Sequence, residues 1–496
     1  MTKKISELAL LIPDARILGD DVSISGIEHD SRKVAAGNLF VCMEGVHVDG
    51  HKFIPQAVER GAVALLTTRK DFTPPEGLTA LIVPDMLNAL AVIVPYFYDY
   101  PARAMRVIGV TGTNGKTTTT YLLREIFTSA GLSVGLIGTI QILIGDEKFP
   151  NPNTTPNVID LQHVLAEMRA RKIQVVVMEV SSHALAENRV AGVEFDTAIF
   201  TNLTQDHLDF HGTMENYLRA KAKLFDMVSR KGRKQNKTAV VNVDDTAGEE
   251  ILRHSRCKRI TYGLSNAADL RGVAVDVRAD GMNLSLVPCP LSLSLHLTGL
   301  FNAYNVLAAT GAALAENIRP DIIKRALENF RSVPGRFERI FIDAPFEVIV
   351  DYAHTPDGVK NVLQTAAQIA NGKIITVFGC GGDRDHAKRP IMGRLAAELS
   401  DVVIATSDNP RTENPEKILD DVEAGIREVG GKNYERIADR RAAIFKAIEL
   451  AEAGDIVLIL GKGHETYQIL NTGTIHFDDR EVVKEAMREL VPRGCW

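Results

Sequence analysis

The sequence predicts an α/β protein of three successive domains, and three observations carry that reading. Apolar runs of strand length alternate with helical patterns, which is the mark of mostly parallel sheets. The texture changes near residues 102 and 334, at Tyr98-Asp-Tyr-Pro-Ala102 and Ser332-Val-Pro-Gly335, both built of turn-forming residues. The 496 residues, at about 150 per domain, leave room for about three cores. The expected domains are 1–102, 103–334 and 335–496.

Residues 1–102 alternate short apolar runs (Asn38–Met43, Ala62–Thr68, Ala80–Val83) with helical stretches near 51–60 and 86–98. From residue 103 the strand-like run Met105–Val110 leads through a glycine-rich turn into a helix over Lys116–Ala130, with Gly131 as its stop. Buried-strand runs follow at Gln174–Val180, Thr197–Thr201 and Thr238–Val243. After 335 the same style returns, with strands at Glu347–Val350, Lys373–Phe378, Val402–Thr406 and Ile456–Leu460. Helices are expected between them at about 357–370, 416–429 and 440–452.

Composition is ordinary for a globular chain, with 45% hydrophobic and 24% charged residues, and excludes disordered and collagen-like classes. Lys and Arg total 57 against 63 Asp and Glu, a net charge of −6 that argues against a nucleic-acid partner. A local cationic cluster could still receive an anionic substrate. Five scattered cysteines (42, 257, 289, 380, 495) without a CxxC pair argue against a disulfide framework or a zinc site. No stretch approaches the ~20 apolar residues of a membrane span. The expectation is a cytoplasmic protein with no membrane or nucleic-acid partner, and a monomer.

The strongest local signal is Gly109-Val-Thr-Gly112-Thr113-Asn114-Gly115-Lys116-Thr117-Thr118, placed after a strand and before a helix. That is a phosphate-binding loop: glycines turn backbone N–H groups toward phosphate oxygens, and the helix N-terminus adds positive potential. Lys116 can reach the β- and γ-phosphates of a nucleotide, and the Thr117 hydroxyl can ligate Mg2+. The glycine expected five residues before Gly115 is Val110, so the loop is a shorter variant. In this form, TGTNGKTT, it resembles the Mur ligase family of ATP-dependent amide-forming enzymes, a style shared by folylpolyglutamate synthases. The resemblance covers essentially the whole chain. It implies an N-terminal domain for a UDP group, a central ATPase, and a C-terminal Rossmann-like domain for an incoming amino acid.

Gln174-Val-Val-Val-Met-Glu179 is an apolar strand ending in a carboxylate, as a Mg2+-assisted phosphoryl transfer needs. The following Ser-Ser-His183 resembles the family motif in which this glutamate, Glu179, is a magnesium ligand. Thr201-Asn-Leu-Thr-Gln-Asp206-His207-Leu-Asp209-Phe-His211 is dense in polar groups. By resemblance His207 is a second magnesium ligand. Lys221 and Lys223, on a helical pattern, read from composition as solvated charges. The resemblance reverses this for Lys221 and implies a carbamylated lysine that helps bind magnesium.

Asn153-Thr154-Thr155-Pro-Asn157 reads locally as a capped turn before a helix starting near Ile159. The family pattern implies instead that Asn153, Thr154 and Thr155 contact a UDP-MurNAc-L-Ala-D-Glu substrate. Ser181, Glu187 and Arg189 follow in the same way, although relatives often carry Gln at 187. Ser31, in Asp30-Ser31-Arg32, and the residues around Val46 and His47 resemble a uridine-binding segment. Asn302 and Asn305 stand where helix caps are common; the resemblance places Asn302 near adenine. It likewise puts Arg336 at phosphate and Asp351, in Asp351-Tyr-Ala-His354-Thr-Pro-Asp357, at ribose.

Asp408-Asn409-Pro410-Arg411 is a turn that aims an arginine, and a guanidinium fork pairs bidentately with a carboxylate. In the tripeptide-forming branch of the family this motif implies meso-diaminopimelate, whose distal carboxylate lysine lacks. Supporting contacts are implied for Arg384, Gly461 and Glu465, the last to hold the distal ammonium. The expected reaction joins meso-diaminopimelate to the D-glutamate γ-carboxylate through an acyl phosphate, with ATP and Mg2+. The alternatives are a ligase for lysine or another amine, a folylpolyglutamate synthase, and a nucleotide switch without amide chemistry.

Overall fold

The computed structural model describes residues 2–45, 48–265, 267–431 and 433–490. The uridine-segment candidates Val46 and His47, and Cys495, lie outside the described residues. Three larger sheets carry the α/β pattern. Eleven strands form one, in the order Glu147–Phe149, Ile142–Ile144, Val134–Ile137, Val175–Glu179, Arg106–Thr111, Thr197–Phe200, Thr238–Asn242, Lys258–Gly263, Leu270–Arg278, Gly281–Val287 and Leu291–Leu295. Val134–Ile137 and Val175–Glu179 pair parallel, as do Thr238–Asn242 and Lys258–Gly263. The last three strands form an antiparallel meander. Its alternation of apolar and polar residues, as in Leu291-Ser-Leu-Ser-Leu295 with every second residue buried, is the period of a half-buried strand.

The chain packs as two compact units: residues 1–109, 132–198 and 223–237, and residues 110–131, 199–222 and 238–496. In the first unit a five-stranded sheet runs in the order Arg16–Leu18, Thr79–Ile82, Ala64–Thr67, Asn38–Val41, Gly26–Glu28, parallel except at its first pair. Leu39, Val41, Ala64 and Leu66 face one apolar cluster, and Phe40, Cys42 and Leu65 face another. Both faces are covered, which is why these strands read as unbroken apolar runs.

The second unit holds a six-stranded sheet in the order Glu338–Ile340, Glu347–Asp351, Ile456–Leu460, Ile374–Phe378, Val402–Ala405, Tyr434–Arg436. Only the first pair is antiparallel. Val348 and Val350 pack on one face and Ile349 on the other, so again both faces are buried. The parallel arrangement brings the loops after Asp351, Phe378, Ala405 and Leu460 to one edge, the carboxyl ends of the strands, where open α/β sheets place their ligands.

Several sequence expectations shift. The stretch 51–60 divides into a 3-10 turn, Gly50–Phe53, and a helix, Ile54–Glu59. The helix that Asn302 and Asn305 were expected to cap runs over Leu300–Ala315, because Leu300 and Phe301 continue its pattern after Gly299. Asn302 and Asn305 therefore lie inside the helix and are not its caps, and Gly299 at the N-cap makes no side-chain bond. Asn157 does cap Val158–Ala170, accepting from the N–H groups of Ile159 and Asp160. Cys42, Cys289 and Cys380 are free thiols. Among the described residues no helix is long and apolar enough to cross a membrane.

Candidate functional site

In the second unit the strand Arg106–Thr111 ends in the glycine-rich loop, and the helix Lys116–Ser129 follows it. Gly115, at the N-cap, has φ +86, and a Cβ there would lie 2.3 Å from the Asn305 Oδ1, so both backbone and space demand glycine. The loop is held from outside. Asn202 Oδ1 accepts from the Asn114 N–H at 2.9 Å, the Thr201 hydroxyl donates to the Asn114 carbonyl at 2.6 Å, and the Thr113 hydroxyl meets Tyr217 Oη at 3.2 Å. The Asn114 side chain donates to Asp357 at 2.8 Å. Thr118 is buried behind the loop.

Two lysines meet at this loop. Lys116 Nζ donates to the carbonyls of Gly112 at 3.0 Å and Thr113 at 2.8 Å. Lys221 Nζ donates to the same Gly112 carbonyl at 2.8 Å and sits 4.2 Å from the centre of the Tyr217 ring. Lys221 is only 1% exposed, which overturns the solvated-helix reading of its sequence. Burial, and then the charge of Lys116, push its pKa well below the usual lysine value.

Asp206, buried beside them, faces three basic side chains: His207 at 3.3 Å, Lys388 at 3.7 Å and His354 at 4.0 Å. Burial alone would raise its pKa, but those charges prevail and hold it at about 2. Burial also presses His354 down to about 4. His207 itself stands at φ +55, just ahead of the short helix Leu208–His211.

Arg336 Nη2 donates to the Thr117 hydroxyl at 3.0 Å, and the guanidinium lies 4.5 Å from the Tyr352 ring centre. Its Nε is buried with no hydrogen-bond partner. Asp351 accepts from the Phe337 N–H at 2.6 Å, and burial raises it to about 6 against the pull of Arg336. Asn302 and Asn305 are both buried; Asn305 donates to Asn302, which donates to the Thr298 carbonyl.

The Asp408–Arg411 turn follows the strand Val402–Ala405 and is tied to the loop after Leu460. Asn409 Nδ2 donates to Glu465 Oε2 at 2.8 Å, while Asn409 Oδ1 accepts from the Ile469 N–H at 2.9 Å. The Gln468 side chain donates to the Asp408 carbonyl at 2.7 Å. Gly461 has φ +111, and a Cβ there would lie 2.5 Å from Asp408 Oδ2. Pro410 is buried in the turn. Arg411 donates through Nη1 to the Gly382 carbonyl at 2.7 Å, and no carboxylate pairs with it among the described residues. Arg384 is exposed and donates to the Asp383 carbonyl; it flanks Gly381 together with Arg411. Glu465, expected to hold the distal ammonium, also has partners within the protein. Its Oε2 already holds Lys462 at 2.9 Å as well as Asn409. Burial, then the charge of Asp408, raise its pKa.

The first unit carries the remaining candidates. Glu179 ends the strand Val175–Glu179 fully buried, accepting the Thr139 N–H at 2.8 Å and the Thr139 hydroxyl at 3.0 Å. The Thr154 hydroxyl lies 3.0 Å from that of Thr139. Thr155 donates to the Glu179 carbonyl at 2.9 Å and accepts from the Ser181 N–H at 3.0 Å. Ser181 caps the short helix Ser182–Ala186. Arg189 pairs with Glu187 at 2.6 Å and reaches the Thr155 carbonyl at 3.3 Å, so these seven residues form one network. Asn153 is exposed beside it, and Ser31 donates to Gln56 at 2.6 Å.

Asp206, His354, Asp357, Lys388 and Lys462 are site residues that sequence reasoning did not assign. The first three stand inside motifs already singled out. Lys462, between two glycines, carried no signal of its burial.

Three family profiles match the chain: "Mur ligase family, catalytic domain" over residues 23–98, "Mur ligase middle domain" over 110–313, and "Mur ligase, glutamate ligase domain" over 335–463. The chain is 45% identical over 473 residues to the UDP-N-acetylmuramoyl-L-alanyl-D-glutamate--2,6-diaminopimelate ligase of Clostridium botulinum, covering 94% of this chain and 96% of that one. To the ligase of the same description from Geobacillus thermodenitrificans it is 46% identical over 474 residues, covering 95% and 96%. A solved structure of a UDP-N-acetylmuramoyl-L-alanyl-D-glutamate--2,6-diaminopimelate ligase is 33% identical with a TM-score of 0.66, covering 99% of both chains. Matched along nearly its whole length in sequence and in fold, the chain belongs to the Mur ligase family.

Proposed function

We propose that the chain is an ATP-dependent ligase that adds meso-diaminopimelate to UDP-MurNAc-L-Ala-D-Glu in the cytoplasm, acting as a monomer in peptidoglycan precursor synthesis. The observation that carries the choice of amino acid is the Asp408–Arg411 turn, pinned to the Gly461–Glu465 loop with Arg411 unpaired by any described carboxylate. A guanidinium held by carbonyls has donors left for a substrate carboxylate, and diaminopimelate offers one where lysine does not.

The residues of the second unit fit a magnesium nucleotide. The Thr117 hydroxyl, the His207 imidazole and, as a carbamate, Lys221 are the donors that would hold Mg2+. Arg336, with a buried unpartnered Nε, is a cation suited to a phosphate. The magnesium role of Glu179 rests on the family resemblance alone. When bound, Mg2+ supplies charge neutralisation between the transferring and leaving phosphates.

Lys116 lies at the phosphate loop, where its ammonium would shift from the Gly112 and Thr113 carbonyls to the charge developing on the γ-phosphate. The D-glutamate γ-carboxylate attacks that phosphorus and ADP leaves. The diaminopimelate amine then attacks the acyl phosphate, and the tetrahedral intermediate releases phosphate and the amide. Asn153, Thr154, Thr155, Ser181, Glu187, Arg189 and Ser31 are assigned to the UDP substrate, and Asn302 and Asp351 to the nucleoside.

The test is phosphate release from ATP with UDP-MurNAc-L-Ala-D-Glu and either meso-diaminopimelate, L-lysine or no acceptor, with the product identified by mass. Release only with meso-diaminopimelate is expected. Equal use of lysine would refute the role of Arg411, and release indifferent to any acceptor would refute the ligase.

A further inference from the structure

Lys462 has no exposed surface, yet all three of its ammonium donors have acceptors. Nζ donates to Glu465 Oε2 at 2.9 Å, to Asn409 Oδ1 at 3.4 Å and to the Tyr467 carbonyl at 2.5 Å. Two of those acceptors belong to side chains assigned above to the diaminopimelate pocket. We propose that Lys462 is a positioning and specificity-determining residue: it fixes Glu465 and Asn409, and it cancels the charge of Glu465 so that the pocket favours a zwitterionic distal end over a lone ammonium.

The argument is one of geometry and charge. Asn409 and Lys462 both hold Oε2, which fixes the direction of the Glu465 carboxylate. The charged groups that face Glu465 include Lys462 at 2.9 Å, Arg440 and Asp408, so its charge is already met by cations of the protein. Such a pocket suits a side chain that brings its own carboxylate with its ammonium, and repels one that brings an ammonium alone. Without Lys462 that cation is lost, and Glu465 is left as an acceptor open to an ammonium alone.

This inference rests on the proposed reaction, and the experiment separates the two. Steady-state constants for meso-diaminopimelate, L-lysine, ATP and the UDP substrate are measured for the wild type, Lys462→Met and Lys462→Met/Glu465→Gln. For Lys462→Met the KM for meso-diaminopimelate is expected to rise about 30-fold or more, the size of effect seen when one partner of a buried charge pair is removed. The KM values for ATP and the UDP substrate stay within twofold, and the ratio of kcat/KM for diaminopimelate over lysine falls. The double variant, which leaves no unpaired buried charge, is expected to regain the wild-type melting temperature without regaining that ratio. An unchanged ratio in a variant that still folds would make Lys462 merely structural and overturn the inference. If Lys462→Met fails to fold, Lys462→Gln, which keeps Glu465 in place, is measured instead, and an unchanged ratio there overturns the inference in the same way. A wild type that uses neither amino acid would instead refute the proposed reaction.

Discussion

Lys116 and Lys221 share one acceptor: both ammonium nitrogens lie within 3.0 Å of the Gly112 carbonyl oxygen. Two cations cannot both be comfortable there, and the buried one yields. Lys221 is thereby biased toward the neutral amine, the form that reacts with CO2.

Isotopically labelled bicarbonate is therefore expected to give a carbamate resonance in the wild-type protein. In Lys221→Met that resonance should be absent and turnover should fall at least 100-fold. A labelled carbamate that persists in the variant would place the modification elsewhere.

Lys116→Ala removes the cation at the phosphate loop while leaving the helix behind it intact. Turnover is expected to drop by about 100-fold or more with circular dichroism unchanged. Near-normal phosphate release would exclude Lys116 from the chemistry.

Gly115→Ala meets both obstacles at once, the left-handed backbone at φ +86 and the Asn305 side chain 2.3 Å from the new methyl. The variant is expected to lose about 2 kcal/mol or more of stability in urea unfolding, and to bind ATP poorly.

Asp351 gives a pH dependence with a definite sign. Its folded-state pKa is raised to about 6 from 3.8, so the folded protein holds that proton more tightly than the unfolded chain. Stability is then lost as pH rises from about 4 to 6, up to about 3 kcal/mol at neutral pH. Asp351→Asn is expected to be more stable than the wild type at pH 7.5, with the gap closing near pH 4, and to show a higher KM for ATP. Urea unfolding across that range measures the first and steady-state kinetics the second.

Arg440 and Asp479 are a fully buried pair, 2.7 Å apart, and Arg440 also donates to the carbonyls of Ser407 and Leu460 at the base of the acceptor loops. Arg440→Met is expected to cost about 3–5 kcal/mol by leaving Asp479 unpaired. Asp479→Asn in addition should recover part of that loss in thermal melts.

Much of this was legible because strands buried on both faces announce themselves as apolar runs. Ile456–Leu460 and Val175–Glu179 stand where their sequences put them. The meander over Leu270–Leu295 was not read, because each strand is only half buried and its polar residues mimic loop. At the site, spacing exposed Lys116, whose motif is local. Lys221 looked like any helix lysine, since its burial depends on Tyr217 and on the Gly112 loop more than a hundred residues away. Lys462 was hidden because its burial depends on the Asn409 turn 53 residues away, although its other acceptors, Glu465 and the Tyr467 carbonyl, are local. A long-range acceptor set leaves no trace in the spacing of its donor.

The backbone N–H of Gly461 donates to the Asp351 carbonyl at 3.0 Å, at the end of two strands that pair side by side. The carboxylate assigned to the nucleoside and the loop assigned to the amino acid thus grow from one rigid pair of strands. The residues proposed to choose the amino acid, by contrast, sit in the loops after Ala405 and Leu460, where Asn409 bonds Glu465. A descendant of this chain could acquire a new acceptor by exchanging a few of those residues while its grip on the nucleotide stayed as inherited. Diversification of the peptide product then calls for no new fold.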